Sequence, residues 1–410
     1  MSKYTFTESN YEQAIIELFR DQLGYEYIYG PDIERDYAEP LFLERLQQSL
    51  LAINPSLPEV AIHEAIEKIR QIDTGSLVQR NEVFTDYLQN GVDVAYFDGK
   101  EQCATCVRLI DYEQPKRNNF VVANQWSIEE HSVRRADVIV FINGLPLVVM
   151  ELKSPSRTET NVSEAYAQLR NYMQEIPSLF VYNAFCVMSD LVTSKAGTIT
   201  SGEDRFMEWK TVDGQAEDNH FANFHVLFCG MFEQERLIEI IRDFICFSKD
   251  EKQSAKILAG YHQFYAVRKA IASAREATTT NGKGGVFWHT QGSGKSLSMV
   301  FFAKCLQRAL SSPTIVVITD RTDLDNQLFG QFSKCADFLR QVPVQAKSRK
   351  HLSELLDGIE ANGIFFTTMQ KFEESEEPLS QRRNIIVVAD EAHRSQYGLT
   401  ETIDKQTGKL

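Results

Sequence analysis

Two groups of residues have the types and spacing that phosphate chemistry needs. The first is Asp137 followed by Glu151-Leu152-Lys153, with the apolar runs Val138 to Phe141 and Leu147 to Met150 and an Asn143-Gly144 turn between them. On an extended strand Glu151 and Lys153 alternate onto one face. One carboxylate there can ligate Mg2+ while the ammonium stands beside an attacking water, and Asp137 supplies a second carboxylate. A metal held this way polarises a phosphodiester and lowers the pKa of its water. The second group is Thr290-Gln291-Gly292-Ser293-Gly294-Lys295-Ser296, which follows an apolar run ending at Trp288. Its glycines let backbone N–H groups curl around phosphate oxygens at a helix N-terminus, Lys295 reaches the β- and γ-phosphates, and the Ser296 hydroxyl meets Mg2+.

The phosphate loop has a partner downstream. The apolar run Asn384 to Ala389 delivers Asp390-Glu391-Ala392-His393 at the C-terminal end of a strand, where ligands sit in open parallel sheets. Asp390 can hold Mg2+ through water, and Glu391 can orient and deprotonate the water that attacks the γ-phosphate. Together the two motifs imply an ATP site that includes all seven loop residues, Asp390 and His393.

Register constrains the first group. Asp137 faces Glu151 only if their pairing is centred on Gly144, which requires either an odd loop such as Asn143-Gly144-Leu145 or a compensating bulge. A two-residue turn with plain pairing sets Asp137 opposite Met150 and puts the carboxylates on opposite faces. The odd loop is the expectation.

The elements that must position these residues follow from the pattern of apolar side chains. Ala14, Ile15, Leu18, Phe19 and Leu23 share a helical face ahead of Gly24, giving an opening amphipathic helix over residues 10–23. Residues 36–72 continue with helical periodicity, broken at Asn54-Pro55 and Leu57-Pro58, as a helical insertion. Strands are expected at Cys106 to Ile110, Phe120 to Ala123, Ala136 to Ile142 and Leu147 to Leu152. A helix over Val162 to Gln174 follows, where Gln168 and Tyr172 share one face, and then strands at Ala184 to Met188 and Val192 to Ser194. The acidic stretch 201–220 reads as a mobile surface loop, and residues 233–248 as a helix. The charged break Ser248 to Lys252 marks a boundary near residue 250. Beyond it the runs Gly285 to His289, Thr314 to Thr319, Gly363 to Thr368 and Asn384 to Ala389 alternate with helices, the pattern of a parallel sheet covered on both faces. The chain is therefore read as α/β, with an endonuclease domain at 1–250 and a nucleotide-binding domain at 251–410.

Taken as a series, these motifs resemble a known family. Asp137, Glu151-x-Lys153 and Gln168-x-x-x-Tyr172 resemble the PD-(D/E)xK restriction-endonuclease-like fold with the Gln-x-x-x-Tyr motif. The phosphate loop, with Val317 to Leu328, Thr367 to Phe372 and the Asp-Glu-Ala-His box, resembles the first RecA-like motor domain of superfamily 2 translocases. His289 stands where the general phosphate-loop pattern has glycine, a departure that fits the helicase-like form. The order, nuclease before motor, resembles the restriction subunit of type I restriction–modification enzymes. That resemblance implies catalytic roles for Asp137, Glu151, Lys153, Gln168, Tyr172 and Glu391. It implies that Gln263 reads adenine, that Arg321 and Lys371 touch the DNA backbone, and that an opening-helix acid reaches the metal, Glu12 ahead of Glu8. It also implies ATP and Mg2+ as cofactors, double-stranded DNA as substrate, and methyltransferase and specificity subunits as partners. A stand-alone helicase–nuclease of DNA repair and a non-catalytic assembly module are the alternative readings; intact Asp137, Glu151 and Lys153 count against the second. No second motor domain follows His393, so the chain reads as part of a longer protein that binds ATP without translocating.

Composition agrees with this reading once it is read locally. The 410 residues suit more than one domain. The 43 basic against 57 acidic residues, a net −14, argue against a surface built mainly to coat nucleic acid. A metal-holding site is itself acidic, however, and further excess lies in 201–220 and 373–377. DNA-facing charge must then be local, near Arg134, Arg135, Lys153, Arg321 and Lys371. Seven cysteines with one isolated Cys103-x-x-Cys106 pair complete no zinc site and fit a reducing compartment. Without a signal pattern or a membrane-length apolar run, the expected location is the cytoplasm.

Overall fold

The computed structural model describes residues 7–97, 99–153, 162–217, 224–251, 253–319, 322–369 and 378–391. The chain divides into two compact units, Met1–Tyr265 and Ala266–Leu410. In the first, the strands are β1 (Glu26–Tyr29), β2 (Val92–Phe97), β3 (Gln102–Val107), β4 (Phe120–Glu129), β5 (Val133–Ile142), β6 (Leu145–Leu152), β7 (Phe185–Ser189), β8 (Ser194–Gly197), β9 (Met207–Glu208), β10 (Ile245–Lys249) and β11 (Ser254–Leu258). A sheet with the order β1-β4-β5-β6-β7-β8-β9 forms its centre. The β1–β4 and β6–β7 pairs are parallel and the other pairs antiparallel.

The unbroken apolar runs of β5 and β6 are long because both faces of the sheet are covered. On one face Ile139, Phe141, Val149, Cys186 and Met188 pack against Leu169, Tyr172 and Met173 of the helix Val162–Glu175. On the other, Phe185 meets Phe232 of the helix Phe224–Phe232, and Tyr11 of the opening helix Glu8–Glu17 meets Phe224. The opening helix continues through a π-helical turn, Leu18–Gln22, to Gly24 at φ +74°. The insertion expected over 36–72 contains the helices Leu43–Ile53 and Glu59–Arg70, and the helix Leu77–Asn90 and the β2–β3 hairpin follow it.

Three sequence expectations change here. The stretch around 201–217 is no free loop: Phe206, Trp209 and Thr211 are buried, β9 pairs with β8, and Tyr265 donates a hydrogen bond to the Val212 carbonyl at 2.6 Å. Its acidic side chains alternate with these anchors, and charge alone hid them. The helix expected over 233–248 stops at Asp243, and β10 begins at Ile245. The charged break near 250 is the turn of the β10–β11 hairpin, which stays with the first unit. Lys256 on β11 explains why. Its buried ammonium donates to Asn81 Oδ1 (2.9 Å), Thr85 Oγ1 (3.2 Å) and the Asn183 carbonyl (2.7 Å), and burial lowers its pKa to about 7.

The second unit has a parallel sheet of β12 (Thr314–Thr319), β13 (Val344–Gln345), β14 (Ile364–Thr368) and β15 (Ile385–Ala389), in the order β13-β14-β12-β15. The strand expected at Gly285 to His289 is absent from it. Gly285 has φ +102°, outside the extended region, and Val286 and Trp288 are 91% and 79% exposed.

The β5–β6 hairpin settles the register question. Pairing runs Val138↔Met150, Ile139↔Val149 and Val140↔Val148, then shifts to Phe141↔Pro146 and Ile142↔Leu145. The expected odd loop is wrong. The turn is the two-residue Asn143-Gly144, with φ +53° and +80°, as a type I′ turn requires, and a bulge at Leu147 restores the needed register. The tip is buried. Asn143 Nδ2 donates to the Leu109 carbonyl (2.9 Å) and Asn118 Oδ1 (2.8 Å), and the Phe42 N–H donates to the Gly144 carbonyl (2.9 Å). A Cβ on Gly144 would lie 2.5 Å from Leu46 N and 2.6 Å from Phe42 O. Gly144→Ala therefore combines a strained left-handed residue with a backbone clash, and should cost about 2–4 kcal/mol in a denaturant titration. A loss under 0.5 kcal/mol would contradict this packing of the hairpin tip.

Candidate active site

Continued by one residue past Val138↔Met150, the β5–β6 register sets Asp137 opposite Glu151. The Leu152 N–H donates to Asp137 Oδ2 at 2.8 Å, and Lys153 Nζ lies 2.5 Å from Glu151 Oε1. The Lys153 N–H is itself tied to the Ser189 carbonyl at 2.9 Å, so β7 fixes the end of the Glu-x-Lys strand. From the helix Val162–Glu175, the Tyr172 hydroxyl donates to the Arg135 carbonyl at 3.0 Å. Gln168 lies one turn earlier. Both line an open cleft of about 390 Å³ with Ser127, Arg134 and Arg135.

The electrostatics are those of a site short of positive charge. Burial, and then the charge on Glu151, push the Asp137 carboxyl well above the usual range; the Leu152 N–H and Lys153 only partly offset this. Burial raises Glu151 as well, against Lys153. For Lys153 burial works against the ammonium, but the neighbouring carboxylates outweigh it and its pKa rises. Glu151 Oε2 is buried with no hydrogen-bond partner. An orphaned carboxylate oxygen beside a second carboxylate fits a divalent cation, which would satisfy both. Among the described residues no group of three or more His, Cys, Asp or Glu side chains forms a metal cage. Two carboxylates are nonetheless enough for Mg2+, which keeps waters and takes phosphate oxygens.

The two acids of the opening helix have different surroundings. Glu12, the first choice as a metal ligand, accepts from Asn124 Nδ2 at 2.6 Å and Gln125 Nε2 at 2.7 Å. Glu8 is the helix acid whose charge acts on Asp137, Glu151 and Lys153. Arg134, expected to face DNA, makes two hydrogen bonds to Glu175, whereas Arg135 is exposed. Sequence reasoning missed a hydroxyl chain from Tyr11 to Ser189 to Ser194, both links 2.6 Å, which locks the opening helix to β7. It also missed Gln125. The Glu8/Glu12 spacing was a usable signal for the first helix; nothing in the sequence marks Gln125.

In the second unit the phosphate loop has the backbone its glycines predict. Gly292 and Gly294 both have φ +81°, and the helix Lys295–Ala309 starts directly after Gly294. The Ser293 hydroxyl donates to the Thr290 carbonyl at 2.8 Å, with Gln291 inside that turn and Ser296 in the helix's first turn. Asp390 follows β15, where its N–H bonds the Ile318 carbonyl at 2.8 Å. Burial raises its carboxyl pKa while Lys295 opposes the shift, so loop lysine and acidic box act on each other. Glu391 is left-handed at φ +51° and donates its N–H to Asp390 Oδ1 at 3.0 Å. Gln263 is buried near the start of the helix Tyr261–Thr279, its Oε1 accepting the Gly260 N–H at 3.0 Å. His393, Arg321 and Lys371 lie outside the described residues.

Comparison with known proteins bears on both units. Residues 5–205 match the type I restriction enzyme R protein N-terminus, and residues 262–407 match the SWI2/SNF2 ATPase. A type I restriction enzyme HindI endonuclease subunit from Haemophilus influenzae is 41% identical over 98% of this chain and 40% of its own length. The chain belongs to the R-protein family of type I restriction enzymes. A putative type I restriction enzyme MjaIXP endonuclease subunit from Methanocaldococcus jannaschii is 34% identical over 94% of the chain. The chain spans about 40% of the length of these relatives. This R-family chain thus joins a restriction-endonuclease-like unit to a RecA-like parallel α/β unit. No helix among its described residues is long and apolar enough to cross a membrane.

A carboxylate with a raised folded-state pKa destabilises the fold above its unfolded pKa of about 3.9, and fully so once pH exceeds the raised value. Asp137→Asn keeps an acceptor for the Leu152 N–H and removes that charge. In metal-free buffer at pH 7.5 it should raise the melting temperature by about 2–4 °C, with the gain shrinking as pH falls toward 4. A lower melting temperature at pH 7.5 would show that Asp137 is not held as a penalised anion.

Proposed function

We propose that the chain supplies the nuclease domain and first motor domain of a type I restriction subunit, in which ATP-driven movement along double-stranded DNA is coupled to Mg2+-dependent cleavage of unmodified DNA. The observation that carries the reading is the opposition of Asp137 and Glu151 across β5 and β6, with Lys153 on Glu151. When bound, the metal would polarise the scissile phosphate and lower the pKa of the attacking water. Asp137 and Glu151 would hold it, and Lys153 would place positive charge beside the water and the developing oxyanion. Gln168 and Tyr172 wall the cleft, and Tyr172 fixes the backbone at Arg135.

In the motor domain, the backbone N–H groups from Gly292 to Ser296 receive the phosphates, with Lys295 on the β- and γ-oxygens. Asp390 and Ser296 would hold the nucleotide's Mg2+, Glu391 would orient the attacking water, and Gln263 is the adenine-reading candidate. Target recognition falls to methyltransferase and specificity subunits, and the protein acts in the cytoplasm.

The two activities separate by mutation. In the complete restriction complex, Asp137→Ala or Lys153→Ala should reduce DNA cleavage at least 100-fold and leave DNA-stimulated ATP hydrolysis within twofold of wild type. Lys295→Ala should abolish ATP hydrolysis. Normal cleavage by Asp137→Ala would remove the nuclease assignment.

A further inference from the structure

We propose that Glu12 is a positioning residue for the Asp137 carboxylate and not a ligand of the metal. The inference rests on the nuclease reading above and concerns a kink in β4. Asn124 and Gln125 are sequence neighbours, and on a regular strand they would point to opposite faces. Here both donate to Glu12, one to each carboxylate oxygen, at 2.6 and 2.7 Å. That is possible because Gln125 is left-handed, at φ +55°, a conformation rare for a non-glycine residue inside a strand.

The kink lies against the catalytic strand. Asn124 pairs with Val138 and Trp126 with Ala136, which leaves Gln125 opposite Asp137. Side chains three apart then share one core, Ala123 with Trp126 on β4 and Ala136 with Ile139 on β5, so both strands change face at this point. A local strand distortion beside a site re-aims the side chain it carries.

The kink is braced from behind. Tyr27 donates to Asn124 Oδ1 at 3.1 Å, and a Cβ on Gly30 would lie 2.7 Å from the Gln125 carbonyl oxygen. Glu12 grips both amides, one with each carboxylate oxygen, so re-aiming either oxygen at a cation would give up an amide hydrogen bond that braces Gln125. Its effect on the metal runs through Gln125 and the backbone of β5.

Mn2+ titration of the whole chain, by calorimetry and without DNA, separates the two roles. Glu12→Gln keeps an amide that can accept from one neighbour and donate to the other, and should bind Mn2+ within threefold of wild type. Glu12→Ala should weaken binding about 10-fold, in the range for loss of an outer-shell partner. Adding Gln125→Gly to it should recover most of that loss, because glycine takes the left-handed conformation freely. A 10-fold or greater loss with Glu12→Gln, or no recovery in the double variant, would overturn the proposal, since a missing ligand is not replaced by backbone freedom. Asp137→Ala is the control. If it leaves Mn2+ affinity unchanged, the metal-site reading fails and takes this proposal with it; if it abolishes binding, the Glu12 results bear on the proposal alone.

Discussion

Two like charges held together in a desolvated place are the constraint around which the first unit is organised. Asp137 and Glu151 face each other across adjacent strands, and burial raises both carboxyl pKa values. No fold gains stability from that arrangement. It persists because the surrounding structure leaves the side chains no alternative, which is how strained functional sites survive in general. One lysine, Lys153, is the only formal positive charge in contact with the pair among the described residues, and one oxygen of Glu151 is left without a partner.

What enforces the arrangement is backbone geometry on both sides of β5. Toward β6, a tight Asn143-Gly144 turn would by itself offset the strands by one residue, and the bulge at Leu147 corrects the offset before the pairing reaches the site. Toward β4, left-handed Gln125 interrupts the alternation at the position facing Asp137. Both irregularities are buttressed from outside the sheet, the first by the insertion helix Leu43–Ile53 against Gly144 and the second by the opening helix through Glu12. The hydroxyl chain Tyr11–Ser189–Ser194 then ties that same opening helix to β7. The helical elements around the sheet thus do more than cover apolar surface; they hold two departures from regular strand geometry in place.

The second unit solves a different problem with fewer parts. Phosphate binding needs backbone N–H groups converging at a helix N-terminus, and left-handed Gly292 and Gly294 supply that curl locally. Asp390 stands at the C-terminal end of β15, the edge to which parallel strands deliver their ends, and the charge of Lys295 opposes the rise in its carboxyl pKa. The run before the loop, residues 285–289, does not join the sheet, and Val286 and Trp288 stay exposed.

The division between sequence and tertiary structure follows the range of the interactions involved. Local chemistry was legible: the phosphate loop and its helix, the apolar runs of β5, β6, β12, β14 and β15, and the helix carrying Gln168 and Tyr172 all depend on residues close together in the chain. The register condition was also legible, since a period of two makes it arithmetic that Asp137 and Glu151 meet only about Gly144. Which device would meet that condition was not, because an odd loop and a two-residue turn with a bulge give the same register. Nor could the sequence show that Glu12 would be engaged by Asn124 and Gln125 while Glu8 acts on the carboxylate pair, or that Lys256 would pin the β10–β11 hairpin into the first unit. Those outcomes depend on side chains brought together from more than a hundred residues apart, and only the packed fold decides which polar groups must satisfy one another once water is excluded.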